Sequence, residues 1–189
     1  MSEAVYRLWA RKNGETVEIV NSRVNPNFTY KDNNEFFLVE EKYKDFIDDC
    51  STVDVENKKV MPNIESVRTT ILSDLAHLRW EFETNTVTLP NGHVINTDRE
   101  SRGLISDCYA SFKEGFITST RFKTLSGWVD VDSSTISMIA GVVAKHTNSC
   151  FIAETIVSDR IKACASVDEM LDIQLQESFD LEYSKLFNI

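Results

Sequence analysis

Residues 86–104 read TVTLPNGHVINTDRESRGL. Thr86-Val87-Thr88-Leu89 alternates polar and apolar residues, and His93 to Asn96 does so again. Between them stands Pro90-Asn91-Gly92. Asn-Gly between two alternating runs predicts a β-hairpin, because both residues tolerate positive φ. Thr97-Asp98-Arg99-Glu100 then has the form of a capping box. Thr97 would accept from a free N–H of a first helical turn, and Glu100 would reach back to the cap. The stretch therefore predicts a hairpin that runs straight into a helix, and this decides the class of fold. It also gathers His93, Asp98 and Arg99, the first place to look for chemistry, but the turn and cap account for these residues and the stretch reads as scaffold.

The same signals recur on either side. Ile64, Val67, Ile71, Leu75, Leu78 and Phe82 return at spacings of three and four, which predicts a helix over 64–82 started by Pro62 and Asn63. A second helix is expected from about Asp98 to Gly115, with Leu104, Ile105, Cys108 and Phe112 on its apolar side. RFKTLSGWVDV repeats the hairpin signal around Ser126-Gly127. Asp132-Ser133-Ser134 opens a long helix to about Cys164, with a stripe through Ile136, Ile139, Val143, His146, Cys150, Ala153, Val157, Ile161 and Cys164. Ser166-Val167-Asp168-Glu169 is another capping box, opening a last helix through Ile173. Upstream, VYRLWARKNGETVEIV predicts a hairpin at Asn13-Gly14, NPNFTYKDNN is turn-rich, and EFFLVEE offers a third strand. EKYKDFIDDC suggests a short helix and STVDVENKKVMPN a polar linker. The class that follows is α+β: antiparallel hairpins packed against a few helices, one long helix in the C-terminal half, and a small β-rich N-terminal part. The expected division is a docking segment over 1–60 and an α+β domain over 61–189 ending in a helical tail.

Composition narrows the function. With 42% hydrophobic and 26% charged residues, only 3 Pro and 6 Gly, the 189-residue chain is globular in type. A formal net charge of −10 disfavours nucleic acid and anionic membrane as partners, since both need Lys and Arg to meet phosphate. The first residues, MSEAVYRLWARKNG, lack the basic start and apolar centre of a signal peptide. The most apolar window, 136–157, is interrupted by Lys145-His146-Thr147-Asn148, so no membrane span is expected. Cys50, Cys108, Cys150 and Cys164 form no C-x-x-C pair and read as reduced thiols.

Few residues offer chemistry. His146 and Cys150 share a helical face and make half a metal site, but no second pair completes it. Asp130 and Asp132 form a D-x-D pair whose second member stands where a helix cap belongs. Glu81 and Glu83, two apart on a helix, do not face each other. Arg99 and Arg102 stand ready for a carboxylate, with Asp98 and Glu100 close by in sequence. No nucleotide, nucleophile-elbow or zinc-protease motif occurs. We therefore expect no enzyme, cofactor or metal. The aromatic residues are the better candidates for contact: Trp9, Trp128 beside the second hairpin turn, and Phe179, Tyr183 and Phe187 in a tail too apolar to be idle. That tail would dock on this chain or on a partner.

Arg79 with Glu83, the apolar-Asn-Gly-apolar hairpin, TDRES, FKTLSGWVDVD, AKHTNSCFIAE and IKACASVDEMLDI follow one another in this order. In them the stretch from about Glu65 to Ile173 resembles a domain of unknown function found in tailed-phage proteins, often encoded among the tail-fibre genes. The resemblance implies a context, the phage tail, and supplies no catalytic or binding residues. It implies a non-enzymatic tail or tail-fibre-associated virion component acting by protein–protein contacts. Its partners would be tail or tail-fibre proteins or further copies of itself, and its place the virion tail, or the host cytoplasm during assembly. A fibre assembly chaperone is one alternative. A carbohydrate-binding receptor tip, built on Trp128 and Asp130, is another.

Overall fold

The structure is a computed structural model that describes residues 7–13, 16–23, 36–48, 50–54, 56–57 and 59–187. In chain order its elements are β1 (Arg7–Asn13), β2 (Thr16–Arg23), β3 (Phe36–Val39), a 3-10 helix (Glu41–Phe46), β4 (Thr52–Asp54), β5 (Lys59–Met61), α1 (Ile64–Glu83), β6 (Thr86–Thr88), β7 (Val94–Asn96), α2 (Arg99–Lys113), β8 (Thr120–Thr124), β9 (Gly127–Val131), α3 (Ser133–Ala163), α4 (Val167–Leu171) and α5 (Leu175–Leu186). The class is α+β, as expected. The described residues form two compact units: those up to Ile71 together with Cys164–Leu171, and Leu72–Ala163 together with those from Asp172 onward.

The first unit is built on one five-stranded sheet, in the order β2-β1-β3-β5-β4. β1 and β2 pair antiparallel with Asn13 opposite Thr16, so the first hairpin forms; Gly14 at its turn and the stretch 25–34 lie outside the described residues. A register shift at Trp9/Ala10 puts a bulge in this pair. The expected linker over 51–63 is instead sheet. β4 and β5 pair antiparallel, β5 runs parallel to β3, and Val60 is fully buried. Three-residue strands are too short to show a period of two against the surrounding polar residues. The 3-10 helix buries Tyr43, whose hydroxyl donates to Asp168 at the start of α4 at 2.6 Å, with Lys42 Nζ on the same oxygen at 2.7 Å. Ser166 caps α4 by accepting from the Glu169 N–H at 3.2 Å, and Glu169 accepts in return from the Ala165 N–H at 2.7 Å. α4 stops at Leu171 rather than Ile173.

In the second unit, β6 and β7 pair with Thr86 opposite Asn96, Val87 opposite Ile95 and Thr88 opposite Val94. Asn-Gly does not make a two-residue turn here. The Leu89 N–H donates to His93 O at 2.8 Å and the Gly92 N–H to Leu89 O at 2.9 Å, so the loop is Pro90-Asn91-Gly92 with Gly92 at φ +84°. A two-residue turn would have set Pro90 opposite His93, where a backbone N–H is needed and proline has none. Moving the pairing back to Leu89 restores that bond, and the positive φ falls on the one residue without a Cβ.

The helix also starts one residue later than the capping box places it. Asp98 is the cap, accepting from the Ser101 N–H at 2.9 Å and the Ser101 hydroxyl at 2.7 Å. Thr97 is held back by its own N–H, which donates to Asn85 O at 3.2 Å and prolongs the hairpin. Asp98 carries a charge that the helix N-terminus favours, and these bonds hold its carboxyl below the usual range. On α2, Ile105 and Phe112 are buried, whereas Leu104, expected inside, is 57% exposed.

β8 and β9 close around Leu125-Ser126, with Thr124 opposite Gly127 at φ +119°. This turn meets the first hairpin: the Leu125 N–H donates to Val94 O at 3.2 Å and the Val94 N–H to Ser126 Oγ at 3.1 Å. Asp132 caps α3, accepting from the Thr135 N–H at 2.8 Å and the Ser134 hydroxyl at 2.7 Å, which lowers its pKa to about 2. The 31-residue α3 buries Ile136, Ile139, Val143, His146, Cys150, Ala153, Val157 and Ile161, the expected stripe except for Cys164, which lies just past the helix end and is half-buried. Val87, Leu89, Ile95, Ile105, Phe112, Val131, Ile136, Ile139 and Val143 form one core cluster, so both hairpins pack on α2 and α3. α5 packs on α3.

Candidate interface surfaces

The opening stretch supplies scaffold. Asp98 is spent on the cap, Arg99 is exposed, and His93, half-buried, donates its backbone N–H to Asn91 Oδ1 at 3.2 Å. No cluster of three or more His, Cys, Asp or Glu able to hold a metal occurs among the described residues. No helix among them is long and apolar enough to cross a membrane.

The aromatic tail docks on its own chain. Phe179 is 0% exposed, with Phe82 edge-on at 5.4 Å between ring centres. Tyr183 meets Phe82 at 4.7 Å and stacks on Phe187 at 5.1 Å. His146 stands in the middle. Its Nε2 lies 3.3 Å from Glu83 O, which can only accept, so Nε2 carries the proton. Nδ1 then accepts from the Tyr183 hydroxyl at 2.8 Å. Burial holds this imidazole below its ordinary pKa, raises that of Tyr183, and pushes the neighbouring Cys150 thiol up to about 12. The half metal site of His146 and Cys150 is thus a satisfied core histidine beside an inert thiol.

One polar feature escaped sequence reading. Glu83, buried, is held by Arg79 from its own helix and by Arg102 of α2 at 2.6 Å. Arg79 also reaches Glu154 of α3 at 2.9 Å. Two guanidinium groups and two carboxylates cancel, and the network ties α1, α2 and α3 together. The Arg79–Glu83 spacing of four was the available signal; nothing near Arg102 in sequence pointed to Glu83 rather than to Asp98 or Glu100.

Arg102 also lines a groove of about 530 Å³ between α2 and α3. Ile105, Val143, Ala140 and Ala144 give it an apolar lining, beside Tyr109 at 39% exposed and Phe151 at 47% exposed. Thr147 Oγ accepts from Arg102 at 3.3 Å, and Arg79 lies against the Phe151 ring at 4.5 Å.

The second surface is the outer face of the β8–β9 ribbon. Trp128 stands opposite Lys123, and Arg121 opposite Asp130. All four are exposed, Trp128 to 61%. Arg121 pairs with Asp130 at 3.1 Å. Trp9 lies in β1, and its side chain falls outside what the structure describes.

The chain belongs to the family described as Domain of unknown function (DUF4376), whose model matches residues 66–177. No curated protein and no solved structure matches it.

Proposed function

We propose that this protein is a non-enzymatic, tail- or tail-fibre-associated component of a bacteriophage virion that works by protein–protein contacts. The α2–α3 groove carries this reading. Protein interfaces are enriched at their centres in aromatic residues, Met and Arg and depleted in Lys, Glu, Asp, Ser and Ala. The groove lining has Tyr109, Phe151 and Arg102 and no Lys, Glu or Asp, with Ser106, Ala140 and Ala144 among its smaller residues. The occupant would be an apolar segment of a tail or fibre subunit. The phage context rests on the resemblance of the ordered motifs from Arg79 to Ile173 to tail-associated proteins. The acidic net charge keeps a free pool of the protein soluble before assembly.

The test is quantitative mass spectrometry of purified particles of the phage that encodes it. A copy number fixed by the symmetry of the tail is the expected result. Absence from particles, with abundance in infected cells, would overturn it in favour of an assembly chaperone.

A further inference from the structure

We infer that the outer face of the β8–β9 ribbon is a binding site for an acidic saccharide, with Trp128 as the stacking platform and Lys123 as the carboxylate partner. The inference goes beyond the tail-component reading and develops the receptor-tip alternative. The two faces of the ribbon differ in kind. Pairing brings Arg121, Lys123, Trp128 and Asp130 to one face, while Val131 on the opposite face is buried and Phe122 and Val129 pack on the core. Phe122, Val129 and Val131 hold the ribbon, so Trp128 is not needed to anchor it.

The Trp128 ring is exposed to solvent, with two cations over it at long range. Arg121 and Lys123 each stand 6.0 Å from the centre of the Trp128 ring, the outer limit for a cation against an aromatic face. The negative face of an indole accepts positively polarised C–H groups, and one side of a pyranose ring is a flat array of them. The charges select among sugars. Asp130 is taken by Arg121. Among the described residues Lys123 makes no ion pair, so the face keeps one uncompensated cation in a chain of net charge −10. A sugar ring bearing a carboxylate meets both requirements.

Beside the pair lies a depression of about 410 Å³ lined by Ser119, Thr120, Arg121, Asp130, Val131 and Asp132. Asp132 is spent on the cap of α3. Ser119 and Thr120 remain to meet sugar hydroxyls, which need both donors and acceptors. A nucleobase would also stack on Trp128, so a nucleic-acid control belongs in the test.

The experiment is calorimetric titration of the full chain with trigalacturonate and sialyllactose as acidic probes, lactose as the neutral control and oligo-dT as the nucleic-acid control. At least one acidic probe should bind with a Kd of about 1 mM or tighter, at least about tenfold tighter than lactose. The affinity should fall as salt is raised, because the pair is solvent-exposed. Trp128→Ala should abolish the heat signal, and Lys123→Glu should erase the preference for the acidic probe, both with unchanged circular dichroism. No binding of either acidic probe, equal affinity for lactose, tighter binding of oligo-dT, or retention of affinity in Trp128→Ala would overturn the proposal. Purified protein suffices, so failure here leaves the virion copy number to decide the tail-component reading.

Discussion

Two aromatic groups of the second unit stand in opposite conditions. Around His146, the rings of Phe82, Phe179, Tyr183 and Phe187 enclose one another within α1, α3 and α5. On the β8–β9 ribbon, Trp128 lies open to solvent. Phe179, Tyr183 and Phe187 of the first group and Trp128 of the second were all contact candidates in the sequence. The difference lies in what faces them. α5 turns Phe179 and Tyr183 onto one side, where the Phe82 ring of α1 meets both and the His146 ring of α3 meets Tyr183. The ribbon satisfies its core with Phe122, Val129 and Val131 and leaves Trp128 over. Helical order turned one set into core, and strand alternation turned the other into surface.

The contrast can be broken by substitution. Phe179→Ala should destabilise the protein by about 3–5 kcal/mol, as a fully buried ring leaves a cavity; urea unfolding measures this, and a loss below about 1 kcal/mol would return α5 to the surface. Glu83→Ala should cost about 3 kcal/mol, because two guanidinium groups lose their shared carboxylate. The same denaturation series tests it, and a neutral result would show that water already satisfies the pair. Gly92→Val should cost roughly 1 kcal/mol from backbone strain alone. Nothing lies within 4 Å of a Cβ placed there, so no clash adds to it. An unchanged melting temperature would contradict the three-residue turn.

A pH series sharpens the buried half of the contrast. His146 is held below its ordinary pKa by burial, so in acid the unfolded chain takes up a proton that the folded chain refuses. Its contribution to stability is therefore intact above an unfolded pKa of about 6.5 and falls as the pH drops below it. The slope cannot exceed about 1.4 kcal/mol per pH unit for one proton. Melting temperatures between about pH 5 and 8 should lose part of their slope in His146→Gln. An identical slope in the variant would place the imidazole in water.

Much of this was legible because it is local. Hairpins, caps and the stripe of α3 depend on residues within one or two turns of each other, and the order hairpin–helix–hairpin–long helix follows from them. What stayed hidden depends on distance or on competition. Glu83 and Arg102 are 19 residues apart and meet only through tertiary packing. Proline at 90 overruled Asn-Gly, and Asp98 displaced Thr97 because the hairpin had not yet released Thr97. β4 and β5 carry too few residues for a period. Leu104 sits beside the α2 face it was assigned to, and a step of 100° is enough to take it out of the core. Of the site candidates, TDRES proved to be scaffold, and Trp128 is open by a geometry that the sequence marked only as near a turn.

The fold of the second unit does not need Trp128, which stands exposed on the β8–β9 ribbon. Equilibrium urea unfolding of Trp128→Ala tests it most directly. The expected result is a free energy of unfolding within about 0.5 kcal/mol of the parent protein and an unchanged dependence on urea. A loss of more than about 1 kcal/mol would make Trp128 part of the core and remove the ribbon face as a recognition surface.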